Sequence, residues 1–293
     1  MRIVADIPET RSAIRQLRAA QASGTSRSVG FVPTMGALHE GHRSLVRAAR
    51  RRCDVVVASI FVNPTQFGPN EDFTRYPRTL EADCRMLEEE GADLVFTPSA
   101  EGMYPAGSTT LVEVAGVGDR LDGASRPGHF RGVATVVAKL IHIVQPEFAF
   151  FGQKDAAQLA VLRQMVRDLH IPVELVACPI VREPDGLAMS SRNRYLSAEE
   201  RGQALAIWRG LETARRLVQS GEHCAEVLLR AVRDAVEQEP ALREDYLALV
   251  DPDTLLPVAS LQNGGLLAVA VYAGTTRLID NMLLPRASAS SQE

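Results

Sequence analysis

The 293-residue sequence predicts a doubly wound parallel α/β sheet followed by a smaller α+β domain. Three observations predict it. Short, continuous apolar runs alternate with amphipathic helical stretches, the pattern of strands covered on both faces rather than of a half-solvated antiparallel sheet. Glycine-bearing turns fall where such a strand passes into a helix, at Pro33 to His42 and at Phe150 to Leu159. After Arg182 the rhythm stops, and two helices are followed by three short strands with no helix between them. The domains are therefore expected at residues 1–182 and 183–293, against a prior of about 150 residues per domain.

Taken in order, Thr10 to Ala22 carries apolar residues at helical spacing (Ala13, Ile14, Leu17, Ala20). Ser28 to Val32 reads as a buried strand closed by a Pro33-Thr34 turn, and His42 to Arg52 as a helix. The β-branched run Cys53 to Phe61 is a strand, Leu80 to Glu90 a helix stopped by Gly91, and Asp93 to Phe96 a strand. Gly132 to Gln145 (helix), Glu147 to Phe151 (strand), Ala156 to Leu169 (helix) and Val173 to Ala177 (strand) complete the series. Glu183 to Arg194 is a loop; Ala198 to Gln219 and His223 to Gln238 are helices; YLALVDP, LLAVAVYAG and TTRLIDNM are strands. The small, polar tail Ala287 to Glu293 is expected to be disordered.

A net charge of −4 and a pI near 5.9 argue against a chain that coats nucleic acid or anionic lipid. No apolar run reaches the roughly 18 residues of a membrane span, and Met1 to Thr10 lacks a signal-peptide core. The expected setting is cytoplasmic. Cys53, Cys84, Cys178 and Cys224 are scattered without a CxxC pair, and each reads as a reduced, small, buried apolar residue.

Four segments carry chemistry. PTMGALHEGH, Pro33 to His42, lies between a strand and a helix, where unpaired backbone N–H groups and the helix dipole favour phosphate. His39 and His42 are three residues apart, so both can face one anion from a first helical turn. As metal ligands they would be one residue short of the HExxH spacing. FFGQKDAAQL repeats the strand–turn–helix context, with Lys154 to reach a phosphate and Asp155 to cap the helix. LAMSSRNRYLS brings Ser190, Ser191 and Arg192 into one mobile loop, suited to clamping a triphosphate as a closing lid. FVNPTQFGPNEDFTRYPR offers Asn63 and Gln66 as uncharged groups for hydroxyls and a carboxylate, with Tyr76 lining the same pocket and Arg126 and His129 serving it or closing a loop. Arg47, Arg50, Arg51 and Arg52 read as a solvated face at a helix C-terminus, and Trp208 as helix core.

Together, in order, PTMGALHEGH, SIFVNPTQF, YPRT, GHFRGVATVV, FFGQKD and LAMSSRNRYL resemble the pantothenate synthetase (pantoate–β-alanine ligase) family of the HxGH nucleotidylyltransferase superfamily. The resemblance covers the first domain and the serine–arginine loop and implies a Rossmann-like sheet. It implies the reaction of ATP, (R)-pantoate and β-alanine to pantothenate, AMP and pyrophosphate, with Mg²⁺ arriving on ATP and a homodimeric assembly. Carried over, Met35, Gly36, Ala37, Leu38, His39, Glu40, Gly41 and His42 hold ATP, with His42 as proton donor. Gly152, Gln153, Lys154, Asp155, Val181, Met189, Ser190, Ser191 and Arg192 complete the nucleotide site, and Gln66 and Gln158 bind pantoate. His39, His42, Lys154, Arg192 and Mg²⁺ are expected to supply the cations that a closed site needs against the phosphates. No Mg²⁺ ligands are assigned. The alternatives are another HxGH nucleotidyltransferase, an aminoacyl-tRNA synthetase core, or a non-catalytic nucleotide-binding module; a tRNA enzyme would need a further basic domain.

Overall fold

The computed structural model describes residues 1–19, 26–69 and 71–286. Residues 20–22 of the first expected helix and the tail from 287 lie outside them. The chain divides into two compact units: Met1–Gln153 with Val161–Pro179, and Lys154–Ala160 with Ile180–Glu293.

The first unit is built on six parallel strands, β1 (Arg2–Val4), β2 (Val29–Thr34), β3 (Val55–Ile60), β4 (Leu94–Phe96), β5 (Phe148–Gly152) and β6 (Glu174–Cys178), in the order β1-β4-β3-β2-β5-β6. Its helices are α1 (Ile7–Ala19), α2 (Glu40–Arg52), α3 (Leu80–Glu89), the short α4 (Ala100–Met103) and α5 (Asp122–Ser125), α6 (His129–Val144) and most of α7 (Ala156–Asp168). From β2 the chain winds outward through β3 to β4, and from β5 outward the other way to β6. The sheet therefore reverses direction between β2 and β5, where an open parallel sheet leaves a crevice beyond its carboxyl ends.

Val29, Phe31, Val32 and Val55 to Ala58 have no exposed surface, because β2 and β3 are central and covered on both faces. β2 runs on to Thr34, past the turn expected at Pro33. Pro33 can stay in register with Ser59 because β5 pairs with β2 only as far as Phe31, so no ladder partner is lost. The edge strand β1, paired only with β4, is three residues long, too short for a periodicity signal.

The basic run on α2 is more than a solvated face. Arg47 binds Glu90 at 2.7 Å and Glu40 at 2.5 Å, Arg50 binds Asp93 at 2.8 Å, and Arg52 binds Glu174 at 2.8 Å and lies over the Phe148 ring. Half-exposed pairs of this kind contribute little each, but those to Glu90, Asp93 and Glu174 tie α2 to the end of α3, the start of β4 and β6. Cys53, Cys84 and Cys178 are buried as expected, and burial pushes the Cys53 thiol up to about 11. Cys224 is exposed instead, at the start of a helix.

In the second unit β7 (Leu242–Val250), β8 (Gly265–Ala273) and β9 (Thr276–Leu284) form an antiparallel sheet in that order. Helices α8 (Ala198–Gln219) and α9 (Ala225–Glu237) pack on it, with Leu211, Leu228, Val232, Leu249, Leu267 and Val269 in the core. α8 begins with a reciprocal cap between Ser197 and Glu200, the S-x-x-E pattern that satisfies two orphan donors.

Candidate active site

The turn after β2 sits at the sheet's reversal point. Gly36 and Ala37 both have positive φ, +84° and +51°. An alanine in that region is strained, so something must hold it. That group is Asp83 of α3, whose buried carboxylate accepts from the Ala37 and Leu38 N–H groups at 2.9 Å each and from the Thr79 hydroxyl at 3.1 Å. Thr34 Oγ1 accepts from the Gly36 N–H at 3.2 Å and donates to the Ser59 carbonyl at 2.7 Å, tying the turn to β3. Sequence reasoning missed Asp83. The signal available was an acid one helical turn before Leu87 on the inward stripe of α3.

His39 is the N-cap of α2 and His42 its third residue. His39 Nδ1 accepts from the Gly41 N–H at 3.2 Å, and His42 Nδ1 accepts from the His39 N–H at 3.3 Å. An imidazole nitrogen that accepts carries no proton, so each ring carries its proton on Nε2. The ring centroids are 4.2 Å apart. The expectation that these histidines are cations is corrected here: with Nδ1 accepting, they stand as two neutral N–H donors at a helix N-terminus, and Gly41 is required because a Cβ there would lie 2.9 Å from the His39 ring.

The second cluster follows β3. Asn63 is buried; its amide donates to Gln66 Oε1 at 3.1 Å and to the Gly132 carbonyl at 3.2 Å, and its oxygen accepts from Tyr104 OH at 2.8 Å. Gln66 Nε2 in turn points to Met35 Sδ at 3.1 Å, which joins the cluster to the first turn. A thioether is a weak acceptor, so this buried amide donor is only weakly satisfied. Tyr76 is buried edge-on against Phe67. The close approach depends on Gly132 of α6: a Cβ there would lie 2.3 Å from the Thr65 carbonyl oxygen and 2.7 Å from the Gln66 nitrogen. Gly132→Ala is expected to cost about 1–3 kcal/mol by overpacking and to displace Gln66; chemical denaturation would read the first effect, and an unchanged midpoint would contradict it.

Arg126 and His129 brace that cluster. Arg126 grips the Glu71 carboxylate through Nε at 2.7 Å and Nη2 at 2.5 Å. Burial pushes the Glu71 carboxyl up, but Arg126 more than offsets this and leaves it below the usual range. His129 Nδ1 donates to the Gln66 carbonyl at 2.7 Å, and its Nε2 faces the Arg126 guanidinium at 3.0 Å. Burial and that guanidinium hold the His129 pKa down to about 4. The unfolded chain takes up this proton near pH 6.5, so between about pH 6.5 and 4 it binds a proton that the folded chain refuses. Stability is expected to fall across that window as pH drops. Thermal melts of the native chain and His129→Gln should diverge there; parallel curves would sink the assignment.

Gly152 ends β5, beside β2, and Gln153–Asp155 forms a single 3-10 turn that leads into α7. In the second unit, Lys154 Nζ lies 3.6 Å from Asp155 Oδ1, and Gln158 occupies the first turn of α7. The expected polar loop is a hydrogen-bonded hairpin: Met189 N–H donates to the Val181 carbonyl at 3.0 Å and Glu183 N–H to the Leu187 carbonyl at 2.8 Å. Ser190 then caps a 3-10 turn, Ser191–Tyr195, by accepting from the Arg192 N–H. Trp208 packs, partly buried, against the core of the second unit as expected, and its ring also stacks under the Arg182 guanidinium at 3.9 Å.

Among the described residues, no three His, Cys, Asp or Glu side chains gather as a metal site, and no helix is long and apolar enough to cross a membrane.

Comparison with known proteins bears directly on this arrangement. A family model described as pantoate-beta-alanine ligase matches residues 2–283. A pantothenate synthetase of Acidobacterium capsulatum is 61% identical over 297 residues, covering 99% of each chain. A crystal structure of pantothenate synthetase from Thermus thermophilus is similar with a TM-score of 0.89 at 50% identity, covering 96% of this chain and 99% of that one. A pantoate-beta-alanine ligase from Francisella tularensis, complexed with beta-gamma ATP and beta-alanine, is similar with a TM-score of 0.76 at 35% identity, covering 97% of each chain. With a matched family model across nearly its whole length and a relative 61% identical over 99% of each chain, the chain belongs to the pantoate–β-alanine ligase family.

Proposed function

We propose that this ligase makes pantothenate from (R)-pantoate, β-alanine and ATP in two steps at the carboxyl ends of β2 and β5. A pantoate carboxylate oxygen attacks the α-phosphorus of ATP, the bond to the bridging oxygen breaks, and pyrophosphate leaves. The amine of β-alanine then attacks the carbonyl of the bound pantoyl adenylate, loses a proton and expels AMP.

The observation that carries this reading is the pair of imidazoles held at the start of α2, each accepting a backbone N–H at Nδ1, which directs its proton to Nε2. Protonating either Nδ1 would break the cap it accepts, so both rings act as neutral donors to the phosphates. His42 stabilises charge as pyrophosphate departs, and a donor aimed where charge develops is worth about 10²–10³ in rate. Met35 to His42, Gly152 to Asp155, Val181 and Met189 to Arg192 hold the nucleotide, with Lys154 and Arg192 as the cations. They are needed because unit charges 4 Å apart repel by about 1 kcal/mol in water but about 4 at an effective dielectric of 20. Gln66 and Gln158 take the pantoate oxygens, and Asn63, Tyr76 and Arg126 border that pocket. The Gln66 amide donor, paired with the weakly accepting Met35 thioether, supports this role.

Mg²⁺ enters on the ATP phosphates, in keeping with its habit of using substrate oxygens and few protein ligands. The enzyme acts on small molecules in the cytoplasm as a homodimer. Exchange of labelled pyrophosphate into ATP, with β-alanine omitted, tests the route. Exchange is expected only when pantoate is present. Exchange with other acids instead would indicate a different nucleotidyltransferase, and binding of ATP without exchange a non-catalytic module.

A further inference from the structure

The lysine turn is held from behind by a splint of polar residues in the second unit. Asn281 of β9 is buried, and its Nδ2 donates to the Lys154 carbonyl at 2.9 Å. Its neighbour Asp280, also buried, points to the opposite face of the sheet, as successive strand residues must. There Asp280 binds Arg182 through both oxygens, at 2.6 and 2.9 Å, and its Oδ1 also accepts from the Asn281 N–H at 2.8 Å. Arg182 stacks on Trp208 and donates to the Gly186 carbonyl at 3.1 Å, at the tip of the 181–189 hairpin. Two adjacent residues of one strand thus grip two segments far apart in sequence.

We infer that Asn281 is a positioning residue for the ligase reaction, fixing the backbone of Lys154 so that its ammonium is aimed at the nucleotide phosphates; this rests on the reading of Lys154 as a phosphate-binding cation. The lysine side chain is long and rotamer-rich. Gln153–Asp155 is a single short turn. Holding the middle carbonyl of such a turn sets the direction in which the side chain leaves the backbone. A misplacement of about 1 Å in a reacting constellation can cost about 10²-fold in rate. An amide is suited to the task because it donates to the carbonyl while adding no charge beside the lysine.

The test is a double-mutant cycle on turnover at saturating pantoate and β-alanine. Asn281→Ala in the native chain is expected to lower kcat about 10- to 100-fold, with the KM for pantoate changed less than about 3-fold. On a Lys154→Ala background the same substitution is expected to cost less than about 3-fold, because a residue that acts only through the lysine has nothing left to position. Equal costs in both backgrounds, or native turnover in Asn281→Ala, would overturn the inference. Native turnover in Lys154→Ala would instead remove the lysine's own role, a separately readable failure. Should Asn281→Ala not fold, Asn281→Asp keeps the shape but turns an acceptor toward the Lys154 carbonyl, and the same coupling with Lys154→Ala is expected.

Discussion

His42→Ala is expected to reduce turnover by about 10²- to 10⁴-fold at saturating substrates, the range for loss of a positioned donor or acid. The ring does two things at once. Its Nδ1 accepts the His39 N–H and completes the cap of α2, which leaves the ring proton on Nε2, the nitrogen proposed to donate to phosphate. Alanine removes both, so a loss of activity alone would not separate them. His42→Gln does, because glutamine at the third helical position is the standard partner in a reciprocal cap. Its oxygen can accept from His39 N–H while no imidazole remains. The two variants should differ in melting temperature, with glutamine the more stable, yet share the large loss of turnover. Near-native turnover in either would mean that the imidazole is not a catalytic group.

Asp83→Asn is expected to raise the KM for ATP at least about 10-fold and to destabilise the chain by about 1–3 kcal/mol, the cost of leaving a buried donor unsatisfied. The change is isosteric, so packing is preserved. The carboxylate, however, accepts from two backbone N–H groups and a hydroxyl, and an amide turns one acceptor into a donor that faces one of them. The positive-φ turn at Gly36 and Ala37 then loses its anchor, and with it the placement of His39. Nucleotide titration and denaturant melts would check both halves. An unchanged ATP affinity would show that the turn holds its shape without Asp83.

The strand–turn–helix units, the glycine turn with its two histidines, and the amides of Asn63 and Gln66 were all legible in the residues, because each is a contiguous segment whose backbone geometry follows from local preference. The alternation of apolar runs with amphipathic stretches likewise announced a covered parallel sheet, and the loss of that alternation announced the antiparallel strands β7 to β9. Some readings needed correction. Arg47, Arg50 and Arg52 looked like a solvated face, yet their partners Glu90, Asp93 and Glu174 come from elsewhere in the sequence. Trp208 packs against the core as expected and also carries Arg182, whereas Cys224 looked buried but is exposed.

The sequence by itself determined the class of sheet, the elements that flank each turn and the functional groups those turns could present, since strand burial, helix periodicity and glycine turns are set by near neighbours along the chain. Only the tertiary structure decided which groups restrain them: Asp83 under the first turn, Glu71 and Arg126 behind His129, Asn281 behind Lys154. Asp83 lies 45 residues from Leu38, Glu71 lies 55 from Arg126, and Asn281 lies 127 from Lys154. No local propensity encodes such a pair; it exists once folding has buried both ends and left each polar group in need of a partner. The tautomers of His39 and His42 belong with the local features instead, because the backbone N–H groups that each Nδ1 accepts lie two and three residues away within one helix cap.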